Sequence, residues 1–405
     1  MRTRISNLPV FITFFAILWL SNSFALAQNS AEFYRILREK VAFNETDFAA
    51  LQQGQTVVKL LPVQDKREVA VSGLVSLQVP ADVFLQSYRE SMSRKSNPAI
   101  LEIGSFSSQP TLDDLKGLTI ESRDIEDLKT CVVGNCQLKL SAIMIERFRK
   151  EVDWEAPDYH SQATHLLKVM LLDYVRDYLA RGDVALIEYS DKAKPVRLAE
   201  EQHALKASSS YVYDGLTEFS QYLKGFPHPK LANVEDAIVW SKMKFGLKPV
   251  LAINHITIYQ NKKEAGPQIL IASKQIYANH YFDSSLALTA FVSIPGMSSE
   301  SYLFYENRSR ADGLGGMFGK MKRGIVEDRA VDSLKDILEQ SKVNLNTSVL
   351  GRTESAAPAN RERSWKRWKI GGARLFSLLL LITAFVALLA LSNYHWRSRV
   401  EPGAS

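Results

Sequence analysis

Five stretches decide how this chain folds: Ile238–Phe245 (IVWSKMKF), Val250–Gln260 (VLAINHITIYQ), Gln268–Tyr277 (QILIASKQIY), Leu286–Ile294 (LALTAFVSI) and Tyr302–Arg308 (YLFYENR). Each is short, rich in β-branched and aromatic residues, and followed by a turn such as NKKEAGP or IPGMSSE, which is the signature of successive strands. In the fourth, Leu286, Leu288, Ala290, Val292 and Ile294 fall on one side. Connections this short make antiparallel neighbours the expectation. Beyond the meander come Gly313-Leu314-Gly315-Gly316 and a predicted amphipathic helix over 317–341, with an apolar stripe through Met321, Ile325, Val331, Leu334 and Leu338.

Upstream, Glu68–Val79 alternates, with Val69, Val71, Val75, Leu77 and Val79 opposite Glu68, Ser72, Ser76 and Gln78, as a half-buried strand does. Pro80 then opens a helix with Val83, Phe84, Ser87 and Tyr88 on one side. Ile100–Phe106 and Leu118–Ser122 read as further strands. Helices are predicted at 30–42, near 46–53, and at 141–152 and 158–181, the last stopping at Gly182. A strand at 185–189 and helices around 196–207 and 215–224 complete the middle of the chain.

The ends read differently. Arg2 and Arg4, the apolar stretch Leu8–Leu20 and Ala25-Leu26-Ala27 have the order of a secretory signal peptide over 1–27. Leu375–Leu391 (LFSLLLLITAFVALLAL) carries no charge and would reach about 25 Å as a helix, which predicts a transmembrane span. The net charge is +6, but residues 28–360 are slightly acidic and the excess cations flank the two apolar ends. A nucleic-acid reader is therefore not expected. Trp365, Lys366, Arg367, Trp368 and Lys369 have the composition of a segment lying on anionic headgroups, making membrane lipids the expected partner. More cations precede the apolar run than follow it, which by the positive-inside rule opposes the orientation implied by the signal peptide. The leader decides the expectation, because long translocated domains are largely insensitive to loop charge. A C-terminal sorting tail beginning at Gly371-Gly372 is the other reading of that end.

The organisation expected is thus a signal peptide (1–27), N-terminal helices (28–54), an α+β extracytoplasmic domain (55–343) with a helical insertion at 141–230, a flexible tether (344–360), a basic juxtamembrane segment (361–374), the transmembrane helix (375–391) and a short tail (392–405). The expected fold class is α+β, an antiparallel β-sheet with a long C-terminal amphipathic helix, helix-grip-like, plus inserted helices and one C-terminal transmembrane helix.

Cys131 and Cys136, the only cysteines, are spaced CVVGNC. In an exported protein they predict a disulfide; no second cysteine pair points to a metal site, and the CxxCH haem motif is absent. DGLGGMFGK departs from the phosphate-loop pattern, since Gly319-Lys320 is followed by Met321. Asp153, Glu155, Asp158 and His160 gather where a helix begins, a place the helix dipole favours for acids. His255 and His280 read as satisfied sheet histidines. Asn44, Asn307 and Asn346 head N-x-[ST] triplets. No catalytic residue and no cofactor is assigned.

Strand, helix, long meander and glycine-preceded final helix, with YENRSRADGLGGMFGKMKRGIVEDRAVDSLKDIL at the end, resemble the helix-grip fold of START-like lipid-transfer and polyketide-cyclase-like domains over about 55–343. The extra helices of 141–230 depart from that family's compactness. The resemblance implies a cavity between sheet and helix that holds a lipid or other apolar ligand, with Leu288, Val292, Met321 and Ile325 as lining candidates or, alternatively, ordinary core. A membrane-anchored, non-enzymatic binding or transfer domain is the primary expectation. The alternatives are an envelope enzyme using Asp153, Glu155 and His160 or the Glu306/Arg308 pair, and a scaffold recruiting another envelope protein.

Overall fold

In a computed structural model of the chain, residues 35–355 are described apart from 42, 94, 96–98, 214–215, 263–265, 294–299 and 315–318. The predicted signal peptide, basic segment and apolar run lie outside them.

The five runs form five strands, β6 (Val234–Met243), β7 (Val250–Gln260), β8 (Ile269–Ala278), β9 (Phe282–Ser293) and β10 (Ser301–Ala311). With β1 (Val57–Leu60), β2 (Glu68–Leu77) and β3 (Ile100–Ser105) they make one antiparallel sheet ordered β1-β2-β10-β9-β8-β7-β6-β3. Sequence neighbours pair throughout the meander, and its two outer strands are extended by segments that precede it. β2 pairs along β10 from Leu77↔Ser301 to Glu68↔Arg310, and β3 pairs β6.

One face carries α3 (Ala81–Ser91) and α9 (Gly319–Ser355). The stripe Val326, Ala330, Leu334, Ile337 and Leu338 of α9 packs into a cluster with Val69, Val71, Val75, Phe291 and Leu303, and the helix lies chiefly over β2 and β1. Gly73 of β2 sits under Leu338 and Leu334; a Cβ there would be well inside van der Waals contact with Leu338 Cδ1.

The other face is covered as well. α4 (Ser122–Lys129), α5 (Ala142–Glu151) and α6 (Tyr159–Arg181) pack on Trp240, Leu251, Ile253 and Tyr277. α1 (35–41), α2 (Glu45–Gln52), α7 (Leu198–Ser208) and α8 (Thr217–Gly225) cover Leu74, Leu270, Leu286, Leu288 and Phe304. The α7 helix follows a two-stranded ribbon, β4 (Glu188–Tyr189) with β5 (Val196–Arg197).

Several expectations are corrected here. The sequence-based fold class included a transmembrane helix, but no helix among the described residues is long and apolar enough to cross a membrane, and 375–391 lies outside them. What the described residues form is an α+β unit with a sheet layered between helices. β2 is not half-buried, since Glu68 and Ser72 are 2% and 0% exposed; alternation reports two chemical faces, and here the polar one is roofed by helices. Leu118–Ser122 is not a strand, because α4 begins at Ser122. Ala185 belongs to a 3-10 turn before β4. The helix predicted over 317–341 runs on to Ser355, through twelve residues assigned to the tether. Nothing there stops it, because Gly351 is tolerated in a helix at about 1 kcal/mol and the first proline is Pro358.

Local signals explain the element ends. Asn44 caps α2 in a reciprocal capping box with Asp47, and Ser141 Oγ accepts from Met144 N at the start of α5. α6 ends at Gly182, whose φ of 62° favours glycine. A Cβ at Gly182 would also collide with the Phe226 carbonyl.

Candidate functional site

The sheet presents a different chemistry on each face. On the α3/α9 side, alternation and register bring polar side chains together in the middle of an apolar cluster. Asn254 pairs with Gln275, Ser273 with Ala287, Asn307 with Ala287, and Ser309 with Ser285. All are buried; Gln275 is 1%, Ser273 4% and Asn254 5% exposed. Part of this floor satisfies itself. Asn307 Nδ2 donates to Ser285 Oγ at 3.2 Å, Ser309 Oγ donates to Asn307 Oδ1 at 2.8 Å, and the two serine hydroxyls are 2.8 Å apart.

The rest does not. Ser273 Oγ, Gln275 Nε2 and the Tyr305 hydroxyl are buried and make no hydrogen bond. Burial pushes the Tyr305 phenol well above the usual range, and the neighbouring Asn307 offsets this only in part. Leaving such atoms unmatched costs about 1–3 kcal/mol each, and buried polar groups are otherwise almost always paired with protein or water. Among the described residues the buried polar members of this floor, Ser241, Asn254, Ser273, Gln275, Ser285, Thr289, Tyr305, Asn307 and Ser309, are uncharged, while Glu235, on the same face at the exposed end of β6, pairs with Arg89 of α3. The neighbouring apolar wall includes Phe84 stacked on Phe291 at 4.9 Å, Tyr88 and Ile256.

The opposite face holds the charges. Arg308 bonds Glu68 at 2.9 Å and Glu306 at 2.8 Å, and Arg310 reaches Glu68 at 3.0 Å and Glu201 at 2.7 Å. Arg67 continues the chain to Glu201 and Asp283, and Lys139 closes it at 2.8 Å from Asp283. Ser209 and Tyr211 donate to Glu306. Burial disfavours the Arg308 cation, yet Glu306 and Glu68 outweigh it and hold its pKa above the usual value.

Along the same face, a partly enclosed cleft of about 20 Å³ is bounded by Lys206, Tyr213, Leu223, Phe226, His255, Thr257, Ala272, Lys274, Leu286 and Leu288. That is room for about one water. Asp183 sits beside it with Lys274 Nζ 2.5 Å from Oδ1 and Lys206 Nζ 2.5 Å from Oδ2. Burial pushes the Asp183 carboxyl up, but the two lysines outweigh it and keep it below the usual range. Tyr178 donates to His255 Nδ1 at 2.7 Å, and His255 Nε2 donates to Asp236 at 2.8 Å. Thr257 and Tyr222 also donate to Asp236. Burial drives the His255 pKa down despite Asp236, in keeping with a neutral ring used at both nitrogens.

The lining residues expected from the sequence do not converge. Leu288 and Val292 sit on the α7/α8 face, Leu288 in the cleft, while Ile325 packs on the α9 face. The sheet stands between them. Even-numbered positions of β9 carry the cleaner apolar pattern, but it is the odd-numbered ones that face α9. Met321 lies on α9, outside the described side chains. Trp365, Lys366, Arg367, Trp368 and Lys369 are outside the described residues.

Cys131 and Cys136 are bonded to each other. The loop they close is docked by Gly134 N on Ser190 O and Cys136 N on Asp191 O. His160 Nε2 lies 3.2 Å from Glu126 on an exposed surface, and Asp153 accepts from the Glu155 backbone. Among the described residues no His/Cys/Asp/Glu group could hold a metal ion. Glu306 and Arg308 are consumed by the ion network. His280 bonds Asp124 at 3.0 Å. Asn307 is buried in the sheet at 1% exposure, so its N-x-[ST] triplet is inaccessible in the folded chain.

Sequence reasoning missed the polar floor and Lys274. Ser273, Gln275, Asn307 and Ser309 break otherwise apolar alternation, and that interruption was the available signal. Comparison with family models, with curated proteins and with solved structures finds no match.

Proposed function

We propose that the protein is an extracytoplasmic binding module that carries an apolar molecule with one uncharged polar group, held between the α3/α9 cover and the polar floor of the sheet. The observation carrying this reading is the pair of unmatched donors, Ser273 Oγ and Gln275 Nε2, buried beneath an apolar cover. A ligand hydroxyl, carbonyl or ester oxygen would accept from both, while its hydrocarbon part would meet Phe84, Tyr88 and Ile256. A carboxylate or phosphate is disfavoured, because the floor offers no cation and burying an unpaired charge is expensive.

The START-like resemblance belongs to this reading, supported by the strand order and by a final helix laid across the strand that pairs β10. So does an export route, supported by the leader-like residues and by a disulfide, which persists in oxidising compartments. Retention at a membrane through the C-terminal residues rests on their sequence alone.

The test is extraction of full-length protein purified from its own membranes, followed by mass spectrometry against a mock preparation. A neutral, apolar compound in near-stoichiometric amount, lost from Gln275→Leu, is the expected result. Identical extracts from both proteins would overturn the reading.

A further inference from the structure

The cleft on the other face of the sheet carries a separate chemistry, independent of the ligand reading above. Lys274 extends from β8 beneath α7 and α8, with its side chain 9% exposed, and bounds the cleft together with Lys206. The two ammonium groups share one carboxylate, Asp183, each at 2.5 Å. The Tyr178 ring lies 4.9 Å from Lys274 Nζ, and the apolar walls of the cleft are Leu223, Phe226, Ala272, Leu286 and Leu288. A second cation beside a desolvated amine in an apolar cleft is the arrangement that activates a lysine toward carbonyl compounds.

We propose that Lys274 is a nucleophilic lysine that captures a small aldehyde or ketone as a protonated imine. The deprotonated amine attacks the carbonyl carbon to give a carbinolamine, which loses water. Overall, ammonium plus carbonyl yields iminium plus water, with no electrons exchanged and no net proton released. One cation replaces another, so the ion pair with Asp183, given up while the neutral amine attacks, is restored in the iminium. The free space of about 20 Å³ limits the partner to the smallest members of the class. Burial, opposed by Asp183 and aided by the Lys206 charge, lowers the Lys274 pKa to about 8, which gives a population of free amine near neutrality. The other ionisable groups around it are Asp183, Lys206, Tyr178, His255, Asp236, Tyr213 and Tyr222. Of these Lys206 is the one other amine, and His255 is occupied at both nitrogens.

The experiment exposes full-length protein at pH 8 to formaldehyde, the smallest member of the class, with a mild hydride reductant, which reduces the imine to a stable N-methyl amine. Peptide mapping then compares Lys274 with the exposed Lys40, Lys150 and Lys194. Lys274 should label at least about tenfold faster than these at pH 8, from its larger free-amine fraction, and should lose that preference in denaturant. Leu288→Trp, which occupies the cleft in place of the carbonyl compound, should abolish the preference while thermal unfolding reports whether the variant is folded. Labelling of Lys274 at or below the surface rate, or preferential labelling of Lys206, would overturn the assignment. The comparison in the native protein needs no variant, so it decides the matter even if a Leu288→Trp chain fails to fold.

Discussion

Gly73 lies directly beneath Leu338, so close that the β2 backbone and the α9 side chain leave no room for a Cβ between them. This contact fixes how deeply the final helix sits on the sheet. Leu338 is 0% exposed and cannot swing into solvent. Gly73→Ala should therefore destabilise the fold by about 1–3 kcal/mol through overpacking, measured by denaturant unfolding. Combining it with Leu338→Ala should cost less than the sum of the two single changes. Additive costs would mean that the two residues do not meet.

Arg308 stands between two buried carboxylates, Glu68 and Glu306, with side-chain exposures of 3% and 1%. Arg308→Met keeps the bulk but leaves both acids short of their shared cation. A loss of about 3–5 kcal/mol is expected from breaking a buried pair on one side only. A change under about 1 kcal/mol, the scale of exposed pairs, would show that water enters the network.

Lys274 gives a pH dependence of definite sign. Its pKa falls from 10.5 to about 8 on folding, chiefly by burial. Below pH 8 both states hold the proton and the fold bears the cost of the buried cation. Between pH 8 and 10.5 the folded state releases the proton while the unfolded state keeps it, so stability rises with pH across that window. Relative to Lys274→Met, the native chain should gain up to about 3 kcal/mol over the same interval. A difference independent of pH would contradict the buried-cation account.

The meander was legible because its residues are local and repetitive: five apolar runs and four turns suffice to name the strands. So were the helices with explicit ends, as at Ser141 and Gly182. The roofing of the second face was not legible. Alternation in Glu68–Val79 distinguishes polar from apolar sides, but Glu68 is buried by the distant Arg308 and Arg310, and no local pattern encodes a partner so far along the chain. The same limit misled the choice of lining residues. Leu288 and Val292 are apolar because α7 and α8 cover them, whereas the positions facing α9 include Ala287 and Thr289, which look less like core. α4 escaped because its eight residues contain only two buried apolar side chains, Ile125 and Leu128.

The central claim is that the α9 face of the sheet holds an apolar molecule by an uncharged polar group. Its most direct test is calorimetric titration of the full-length protein with decanol and with decanoate, matched in chain length and different in charge. Decanol should bind at one site, and Gln275→Leu should weaken it by about tenfold, the worth of one buried hydrogen bond. Decanoate should bind more weakly than decanol. Equal binding of both compounds, unchanged by Gln275→Leu, would contradict the account.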